Sequence, residues 1–300
     1  MRVTRVGLYA NPSKRDVIHI ARRVLAACAQ AGLSAVVEPW LQQALLEGGT
    51  DPAEGAPRAC AQVGQDVEAL LVLGGDGTLL TAMPHAVHYG IPLFGINLGR
   101  VGFLTEIEPG MTSGGATEPS LEDAMRALAQ GAYTLERRML LQVSAQGMPD
   151  RLALNDAVLA RGGYGGVIEL DAYLDGVLID HYQADGLVVA TPTGSTAYSL
   201  SAGGPVIAPD LACFVLSPIC PHSLRARPVV FSAGGTLRVH VRHVREEDAV
   251  LLTADGGEPF RLAAGADVWV HRADCEAQFI RLRPRSFFDL LRSKLAEWSV

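Results

Sequence analysis

The feature that most constrains this chain is an apolar run that ends in a glycine-rich turn. Residues 70–80 read Leu-Leu-Val-Leu-Gly-Gly-Asp-Gly-Thr-Leu-Leu. A continuous apolar run bounded by glycines predicts a strand buried on both faces, as in a parallel sheet. Thr78 and the residues after it can begin a helix. The segment therefore predicts a strand, a tight turn and a helix N-terminus.

Asp76 is the acidic residue inside this turn. A helix N-terminus offers unpaired N–H donors to a phosphate, and Gly75 and Gly77 let the backbone approach a ligand without a Cβ in the way. A carboxylate there would repel phosphate, so Asp76 either holds a hydroxyl, a cation or a proton, or caps the helix. Neither the G-x-x-x-x-G-K-[ST] nor the G-x-G-x-x-G fingerprint fits the segment.

Strand and helix patterns alternate around this turn, which predicts a parallel α/β sheet with ligands bound beyond the carboxyl ends of its strands. Pro84 is expected to kink the following helix or end its first segment. The predicted strands are 3–10, 35–37 and 91–96, the predicted helices are about 15–31 and 120–130, and 41–65 is predicted as loop with a little helix.

After Tyr133 the pattern changes to short strands separated by turn residues, which predicts a β-rich second domain. The predicted fold class is α/β, with an N-terminal parallel-sheet domain over 1–131 and a β-rich domain over 132–283. A C-terminal helix within 284–300 is expected to pack back on the first domain. Strands of the second domain are predicted at 140–143, 157–160, 168–173, 177–180, 187–190, 237–240 and 268–271.

Composition excludes several classes of protein. The formal net charge of -7 argues against a nucleic-acid partner. No run approaches the roughly 18 apolar residues of a membrane helix, and the N-terminus has the pattern of a strand instead of a signal peptide. The five cysteines have no C-x-x-C spacing, which fits reduced thiols in the cytoplasm.

A second segment combines hydroxyls and glycines. Residues 184–205 contain a predicted strand, a Thr-Pro-Thr-Gly-Ser-Thr turn and a hydroxyl-rich helix start with Tyr198. Such a turn can bind sugar hydroxyls and phosphate oxygens, and it equally fits a Ser/Thr-capped turn packed in its own domain. His85 and His88 share a helix face, but without a third ligand in view we predict surface histidines and assign no metal ligands.

Taken together, three segments closely resemble the NAD kinase family (ATP/polyphosphate-dependent NAD kinases). They are Gly74-Gly75-Asp76-Gly77-Thr78, Asn155-Asp156, and residues 185–205. The resemblance implies transfer of the γ-phosphoryl group of ATP to the 2′-hydroxyl of the adenosine ribose of NAD, giving NADP. It also implies a divalent cation, Mg²⁺, and a homo-oligomer, either a dimer or a tetramer.

The resemblance carries over to individual positions. Asp76 matches the family's catalytic proton acceptor, and Gly75 and Gly77 flank it. Asn155 and Asp156 match a pair that contacts adenine and ribose. The rest of the dinucleotide site is matched by Asp185, Thr196, Ala197, Tyr198, Ser199, Leu200 and Ser201.

Two alternatives to an NAD kinase stay open at this stage. A lipid kinase would share the Gly-Gly-Asp-Gly-Thr turn but would not explain residues 191–205. A regulator that senses NAD or NADP without turnover would not need Asp76. A positioned carboxylate suits the kinase, because a ribose hydroxyl is a poor nucleophile that benefits from a proton acceptor. We expect Asp76→Asn to remove that acceptor and leave folding intact.

Overall fold

A computed structural model describes residues 2–14, 16–47, 57–98, 102–107, 119–163, 166–243, 249–284 and 286–298. The helices are α1 (Val17–Gln30), α2 (Pro39–Glu47), α3 (Asp76–Tyr89), α4 (Leu121–Gln130), α5 (Tyr198–Ser201) and α6 (Phe287–Trp298). The strands are β1 (Arg5–Ala10), β2 (Ser34–Val37), β3 (Arg58–Ala59), β4 (Ala69–Leu73), β5 (Leu93–Ile96), β6 (Thr134–Ala145), β7 (Met148–Ala153), β8 (Asp156–Arg161), β9 (Ile168–Leu174), β10 (Val177–Ala184), β11 (Gly186–Ala190), β12 (Cys213–Ile219), β13 (Val229–Ser232), β14 (Leu237–His243), β15 (Val250–Ala254), β16 (Phe260–Leu262) and β17 (Asp267–Arg281).

The chain divides into two compact units. The first is Met1–Arg137 with Ala277–Val300, and the second is Arg138–Glu276. The sequence analysis placed these boundaries after residues 131 and 283. The structure divides the chain inside β6 and β17 instead, because both strands are longer than the sequence pattern indicated.

The first unit is built on a parallel sheet with the strand order β5-β4-β1-β2-β3. Every residue of β4 is buried, as the unbroken apolar run predicts. The strands run in parallel, so the carboxyl ends of β1, β4 and β5 meet at one edge. There Asn11 N–H donates to the Leu73 carbonyl at 3.4 Å, and Gly74 N–H donates to the Ile96 carbonyl at 2.9 Å. The glycine turn thus lies at the sheet edge where α/β proteins bind ligands.

Helices cover both faces of this sheet. Buried side chains of α1, α2 and α4 share one apolar cluster with Leu71, Leu73 and Phe94. Helix α3 lies on the opposite face, because a Cβ on Gly95 would come 2.9 Å from Leu79 Cδ1. Neighbouring residues of a strand point to opposite faces, and Gly95 follows Phe94 directly. The helix α6 also belongs to this unit.

Pro84 does not end the helix that follows the turn. Helix α3 runs from Asp76 through Pro84 to Tyr89 and ends at Gly90, which has φ +63°. The expectation that Pro84 ends a first segment is therefore wrong. A proline removes one N–H from a helix, and the buried contacts of Leu79, Ala82, Met83 and Ala86 continue on both sides of it.

The second unit is antiparallel and β-rich. One sheet has the order β13-β12-β11-β8-β15-β16, and β10, β9, β14 and β17 are neighbours in another. Leu159, Phe214 and Leu252 of the first sheet share one core with Leu170 and Val239 of the second. Two sheets therefore enclose the core, as in a β-sandwich. With a parallel α/β unit, a β-rich unit and a C-terminal helix, the predicted fold class is confirmed.

Several strands were absent from the sequence prediction. Strand β12 was not predicted, and β6 extends well beyond the predicted 140–143. The other unpredicted strands are β3, β7, β13, β15 and β16. The region 41–65 contains the end of α2 and the short β3, while residues 48–56 lie outside the described part of the chain.

Among the described residues, none of the helices is both long enough and apolar enough to cross a lipid bilayer.

Candidate functional site

The glycine turn places Asp76 at the first position of α3, after the N-cap Gly75. Thr78 packs against Gly74 so closely that a Cβ at position 74 would lie 2.1 Å from Thr78 Oγ1. By contrast, among the described residues, a Cβ on Gly77 would meet no atom within 4 Å, and one on Gly75 would touch only Asn97 Oδ1 at 3.8 Å. Packing against the described residues therefore does not require glycine at positions 75 and 77.

The carboxylate of Asp76 is held by the segment that follows β5. Phe103 N–H donates to Oδ2 at 2.8 Å, and Leu104 N–H donates to Oδ1 at 3.1 Å. Gly102 is fixed in the same segment by a hydrogen bond from its N–H to Thr105 Oγ1 at 2.9 Å. Each carboxylate oxygen has two lone-pair sites, so both oxygens of Asp76 keep acceptor capacity.

A buried arginine lies behind that segment. Arg281 Nη1 donates to the Leu104 carbonyl at 2.9 Å and to Glu106 Oε2 at 3.2 Å. Its Nε lies 2.5 Å from Glu136 Oε2, and Glu106 Oε1 accepts the Leu282 N–H at 3.0 Å. Leu104 therefore links the two groups, since its N–H contacts Asp76 and its carbonyl contacts Arg281.

In the second unit, Asn155 and Asp156 form a turn at the start of β8. Asp156 is buried and Asn155 is half-buried. Burial and the nearby carboxylate of Asp255 raise the pKa of Asp156 to about 7. Burial also raises the pKa of Asp255, although hydrogen bonds from the backbone N–H groups of residues 154–156 lower it in part. The turn thus brings two carboxyl groups into one poorly solvated place.

The Thr-Pro-Thr-Gly turn packs on the other side of this pair. Thr191 N–H donates to the Asn155 carbonyl at 2.8 Å, and Thr191 Oγ1 donates to the Leu154 carbonyl at 2.5 Å. A Cβ on Gly194 would lie 2.0 Å from the Asn155 carbonyl oxygen, so only glycine fits there. Arg138 Nη1 donates to Thr193 Oγ1 at 3.2 Å from β6.

The residues after this turn differ in what they present. Tyr198 is exposed over 44% of its surface, and Thr196 and Ala197 are half-buried. Ser199 is fully buried, and its hydroxyl lies 2.9 Å from that of Ser217. Leu200 is half-buried and Ser201 is exposed. The Ser199 hydroxyl therefore serves internal packing, whereas Tyr198 has a free face.

Asp185 lies at the opposite end of β11 from Thr191. Its Oδ1 pairs with Arg161 Nε at 3.2 Å, and the Arg161 N–H donates to its carbonyl at 3.0 Å. In the register of the sheet, Ala190 pairs with Asp156 and Gly186 pairs with Ala160. At about 3.3 Å per residue, Asp185 is roughly 17 Å from the Asn155–Asp156 turn.

The structure thus brings together some of the predicted residues. Asn155 and Asp156 join the start of the 191–201 segment, Asp185 lies apart from them in the same unit, and Asp76 with its glycines belongs to the first unit. The sequence analysis missed Gly102, the two N–H donors of Asp76, and Asp255. For Asp255, a signal existed, because an Asp-Gly-Gly run follows an apolar stretch.

A helix N-terminus beside a glycine turn at the edge of a parallel sheet is an arrangement typical of α/β proteins that bind phosphorylated ligands. Comparison with known proteins narrows this class. Residues 6–118 match the family model of the ATP-NAD kinase N-terminal domain, and residues 154–282 match that of the ATP-NAD kinase C-terminal domain.

Relatives and solved structures point the same way. The NAD kinase of Desulforamulus reducens is 37% identical over 98% of this chain and 97% of its own length. The NAD kinase of Moorella thermoacetica is 46% identical over 77% of this chain and 71% of its own length. The NAD kinase of Archaeoglobus fulgidus, solved with ATP, has a TM-score of 0.66 at 25% identity, covering 92% of this chain and 93% of its own. Yeast NADH kinase, solved with NADH, has a TM-score of 0.80 at 23% identity, and the match covers 97% of this chain and 86% of its own. It shows that the two proteins share a fold. This chain belongs to the NAD kinase family, as its sequence motifs predicted.

Proposed function

We propose that this chain is an NAD kinase that transfers the γ-phosphoryl group of ATP to the 2′-hydroxyl of the adenosine ribose of NAD. The products are NADP and ADP. The observation that carries the proposal is the placement of Asp76, a carboxylate with spare acceptor sites at the first position of α3. It lies between two glycines that packing against the described residues does not require. The matches to kinase domains in both halves of the chain favour this reaction over a lipid kinase.

Asp76 serves as the proton acceptor. As the ribose 2′-oxygen forms a bond to the γ-phosphorus, its O–H bond breaks and the proton passes to a carboxylate oxygen of Asp76. The bond from the γ-phosphorus to the β,γ-bridging oxygen breaks, and ADP leaves with that electron pair. A positioned base contributes about 10²–10⁴ in rate to such a step. The N–H groups of Phe103 and Leu104 keep the carboxylate in one orientation while it acts.

Asn155 and Asp156 hold the adenosine half of the dinucleotide, together with Thr196, Ala197, Tyr198, Leu200 and Ser201. The exposed ring of Tyr198 offers a stacking face and a hydroxyl. The buried hydroxyl of Ser199 supports this segment from within by its contact with Ser217. Asp185, at the far end of β11, contacts a part of the dinucleotide remote from the adenosine.

ATP is the donor in this proposal, supported by the Archaeoglobus fulgidus relative solved with ATP. A divalent cation, Mg²⁺, would neutralise charge on the phosphates during transfer. Mg²⁺ is commonly bound by one or two carboxylates and substrate phosphates. Within the described ranges, no group of three His, Cys, Asp or Glu side chains could hold a metal.

We further propose that the protein acts in the cytoplasm and forms a homo-oligomer. All five cysteines are free thiols, which suits a reducing compartment. The oligomer is proposed from the family resemblance.

The proposal is tested by incubating the protein with ATP, Mg²⁺ and NAD and detecting product with an NADP-specific dehydrogenase. NADP formation is expected, and that dehydrogenase also reports that the phosphate is on the 2′-oxygen. Parallel reactions with NADH as acceptor and with polyphosphate as donor define the substrate range. A folded protein that binds NAD and yields no NADP with either donor would refute the kinase and favour a nucleotide sensor.

A second measurement tests the dinucleotide site. Asn155→Ala is expected to raise KM for NAD by roughly tenfold, since a buried hydrogen bond contributes about 1 kcal/mol and more when its partner is left unpaired. The KM for ATP should stay unchanged. Gln142→Ala, which removes a bond to the exposed Asp150 of the same unit, is the matched control. An unchanged KM for NAD would return Asn155 to a structural role.

A further inference from the structure

One carboxylate outside the residues discussed for catalysis contacts the backbone of residues 154–156, here called the dinucleotide turn. Asp255 directly follows β15, and its side chain accepts three consecutive N–H groups. Leu154 N–H donates to Oδ2 at 2.7 Å, while Asn155 and Asp156 N–H donate to Oδ1 at 2.8 and 3.1 Å. In return, the Asp255 N–H donates to the Asp156 carbonyl at 2.9 Å. Four hydrogen bonds therefore join Asp255 to residues 154–156.

The arrangement fixes the turn from two sides. The backbone N–H groups of residues 154–156 contact Asp255, and the carbonyls of Leu154 and Asn155 contact Thr191. Of the two residues that hold the turn, Asp255 has an ionisable side chain and Thr191 does not. Backbone rotation at Asn155 or Asp156, which would re-aim both side chains, has to break at least one of these bonds.

Asp255 is held at a cost. Its φ of +49° lies in the left-handed region, which is uncommon for residues other than glycine. Its half-buried carboxylate also lies close enough to Asp156 to raise the pKa of that neighbour. A neutral residue would close the same turn without repelling Asp156. The two carboxyl groups nevertheless lie close together, where Asp255 Oδ1 accepts from the backbone of both Asn155 and Asp156.

A second aspartate shows what this backbone conformation does in an ordinary turn. Asp175 has φ +50° between β9 and β10, and its Oδ1 accepts a single N–H, from Thr236, at 2.8 Å. The left-handed conformation therefore does not distinguish Asp255 from Asp175. What distinguishes Asp255 is that it accepts three N–H groups and that these donors belong to the dinucleotide turn.

We propose that Asp255 is a positioning residue for the dinucleotide, which fixes the backbone of Asn155 and Asp156 so that their side chains meet the adenosine. This inference rests on the proposed function, because it takes Asn155 and Asp156 as dinucleotide contacts. Asp255 need not touch the substrate. Its effect is on the binding of NAD and not on phosphoryl transfer itself.

The test compares Asp255→Asn with the control Asp175→Asn in the full-length protein. An asparagine has one acceptor oxygen, and its amide nitrogen would face at least one of the three donors. We expect KM for NAD to rise about tenfold, the factor that corresponds to one hydrogen bond. We expect kcat to stay within about threefold and KM for ATP to stay unchanged. Asp175→Asn should leave all three constants at wild-type values.

A purely structural role would give another pattern. Asp255→Asn would then lower the thermal midpoint while the kinetic constants, measured well below that midpoint, matched the wild type, and this outcome would overturn the proposal. If Asp255→Asn is poorly folded, Asp255→Glu retains the charge. The shift of its thermal midpoint by saturating NAD should be smaller than that of the wild type. An equal shift would again overturn the proposal.

Failure of this inference differs from failure of the proposed function. If the wild type forms NADP and Asn155→Ala raises KM for NAD while Asp255→Asn does not, only the positioning role is lost. If the wild type forms no NADP, or Asn155→Ala leaves KM for NAD unchanged, the dinucleotide site itself is misassigned.

Discussion

Gly102 lies so close to Asp76 that a Cβ at position 102 would be 1.9 Å from Asp76 Oδ1 and 2.4 Å from Oδ2. Non-bonded carbon and oxygen atoms do not approach to these distances. A side chain at position 102 must therefore displace either the carboxylate or the segment that carries Phe103 and Leu104.

Gly102→Ala is accordingly expected to reduce kcat by at least tenfold while the fold persists. The carboxylate would move from the place where two N–H groups hold it, and an error of about 1 Å in a reacting group costs up to roughly 10² in rate. Steady-state kinetics and the thermal midpoint check this. Gly234→Ala is the control, since its Cβ would make only an ordinary contact with Ser232 Oγ at 3.5 Å. Wild-type kcat in Gly102→Ala would show that the segment gives way without disturbing the base.

Asp76→Asn is expected to lower kcat by about 10²–10⁴, equivalent to roughly 3–5 kcal/mol in the barrier. We still expect the protein to fold after this exchange, but the structure indicates a cost in stability. Both carboxylate oxygens accept a backbone N–H, so an amide nitrogen must face either Phe103 or Leu104. The unpaired donor should lower the free energy of unfolding by about 1–3 kcal/mol.

Chemical denaturation and single-turnover kinetics on one preparation separate these two effects of Asp76→Asn. Turnover near wild type in a protein destabilised as expected would mean that Asp76 holds its segment and accepts no proton.

Asp156 gives a prediction for pH. Its pKa is about 7 in the folded protein, raised by burial and then by Asp255, against 3.8 as the ordinary value. The folded state therefore keeps a proton that the unfolded chain releases, so stability falls as pH rises from about 4 to about 7 and then levels off. Asp156→Asn resembles the neutral form. Without nucleotide, its gain over the wild type should be near zero at pH 4 and exceed about 1 kcal/mol at pH 8.

Urea denaturation of the two proteins across this range measures that gain. The exposed Asp210 supplies the control, as Asp210→Asn should show no such trend. A constant difference between Asp156→Asn and the wild type at all pH values would contradict the assignment.

Arg281 gives a prediction for stability. Its side chain is 9% exposed and that of Glu106 is 1% exposed, so removing the arginine deprives a buried carboxylate of this cation. Arg281→Met is expected to lower the free energy of unfolding by about 3–5 kcal/mol. Arg126→Met, which breaks an exposed pair with Asp123, should lower it by less than about 1 kcal/mol. Similar losses in both variants would show that the buried pair is not special.

The sequence predicted the parts of the fold that follow from local pattern. The unbroken apolar run of β4 and the periodic apolar positions of α1 identify these elements, because the apolar residues in each pattern are the ones that the fold buries. Strand β7 reads Met-Pro-Asp-Arg-Leu-Ala and carries no such pattern. It forms by pairing with β6, which the local sequence does not indicate. Strand β12 does carry an apolar run and was missed although the signal was present.

The candidate site divides in the same way. Asp76 and Asn155 belong to motifs that can be recognised in the sequence. Gly102 and Asp255 act through contacts with residues 26 and about 100 positions away, which only the folded chain defines. A glycine in a loop or an aspartate after a strand has too many uses for its sequence alone to indicate a partner.

The bonds between Asp255 and residues 154–156 also determine what the turn can recognise. Three successive peptide N–H groups that converge form a nest, a common cradle for phosphate oxygens. Here the chain fills the nest with its own carboxylate, so a phosphate would meet occupied donors and a negative charge. What remains for a ligand is the amide of Asn155 and the carboxylate of Asp156, which suit neutral hydroxyl and amino groups. Under the proposed function, this turn contacts the nucleoside part of the dinucleotide, and the diphosphate binds elsewhere.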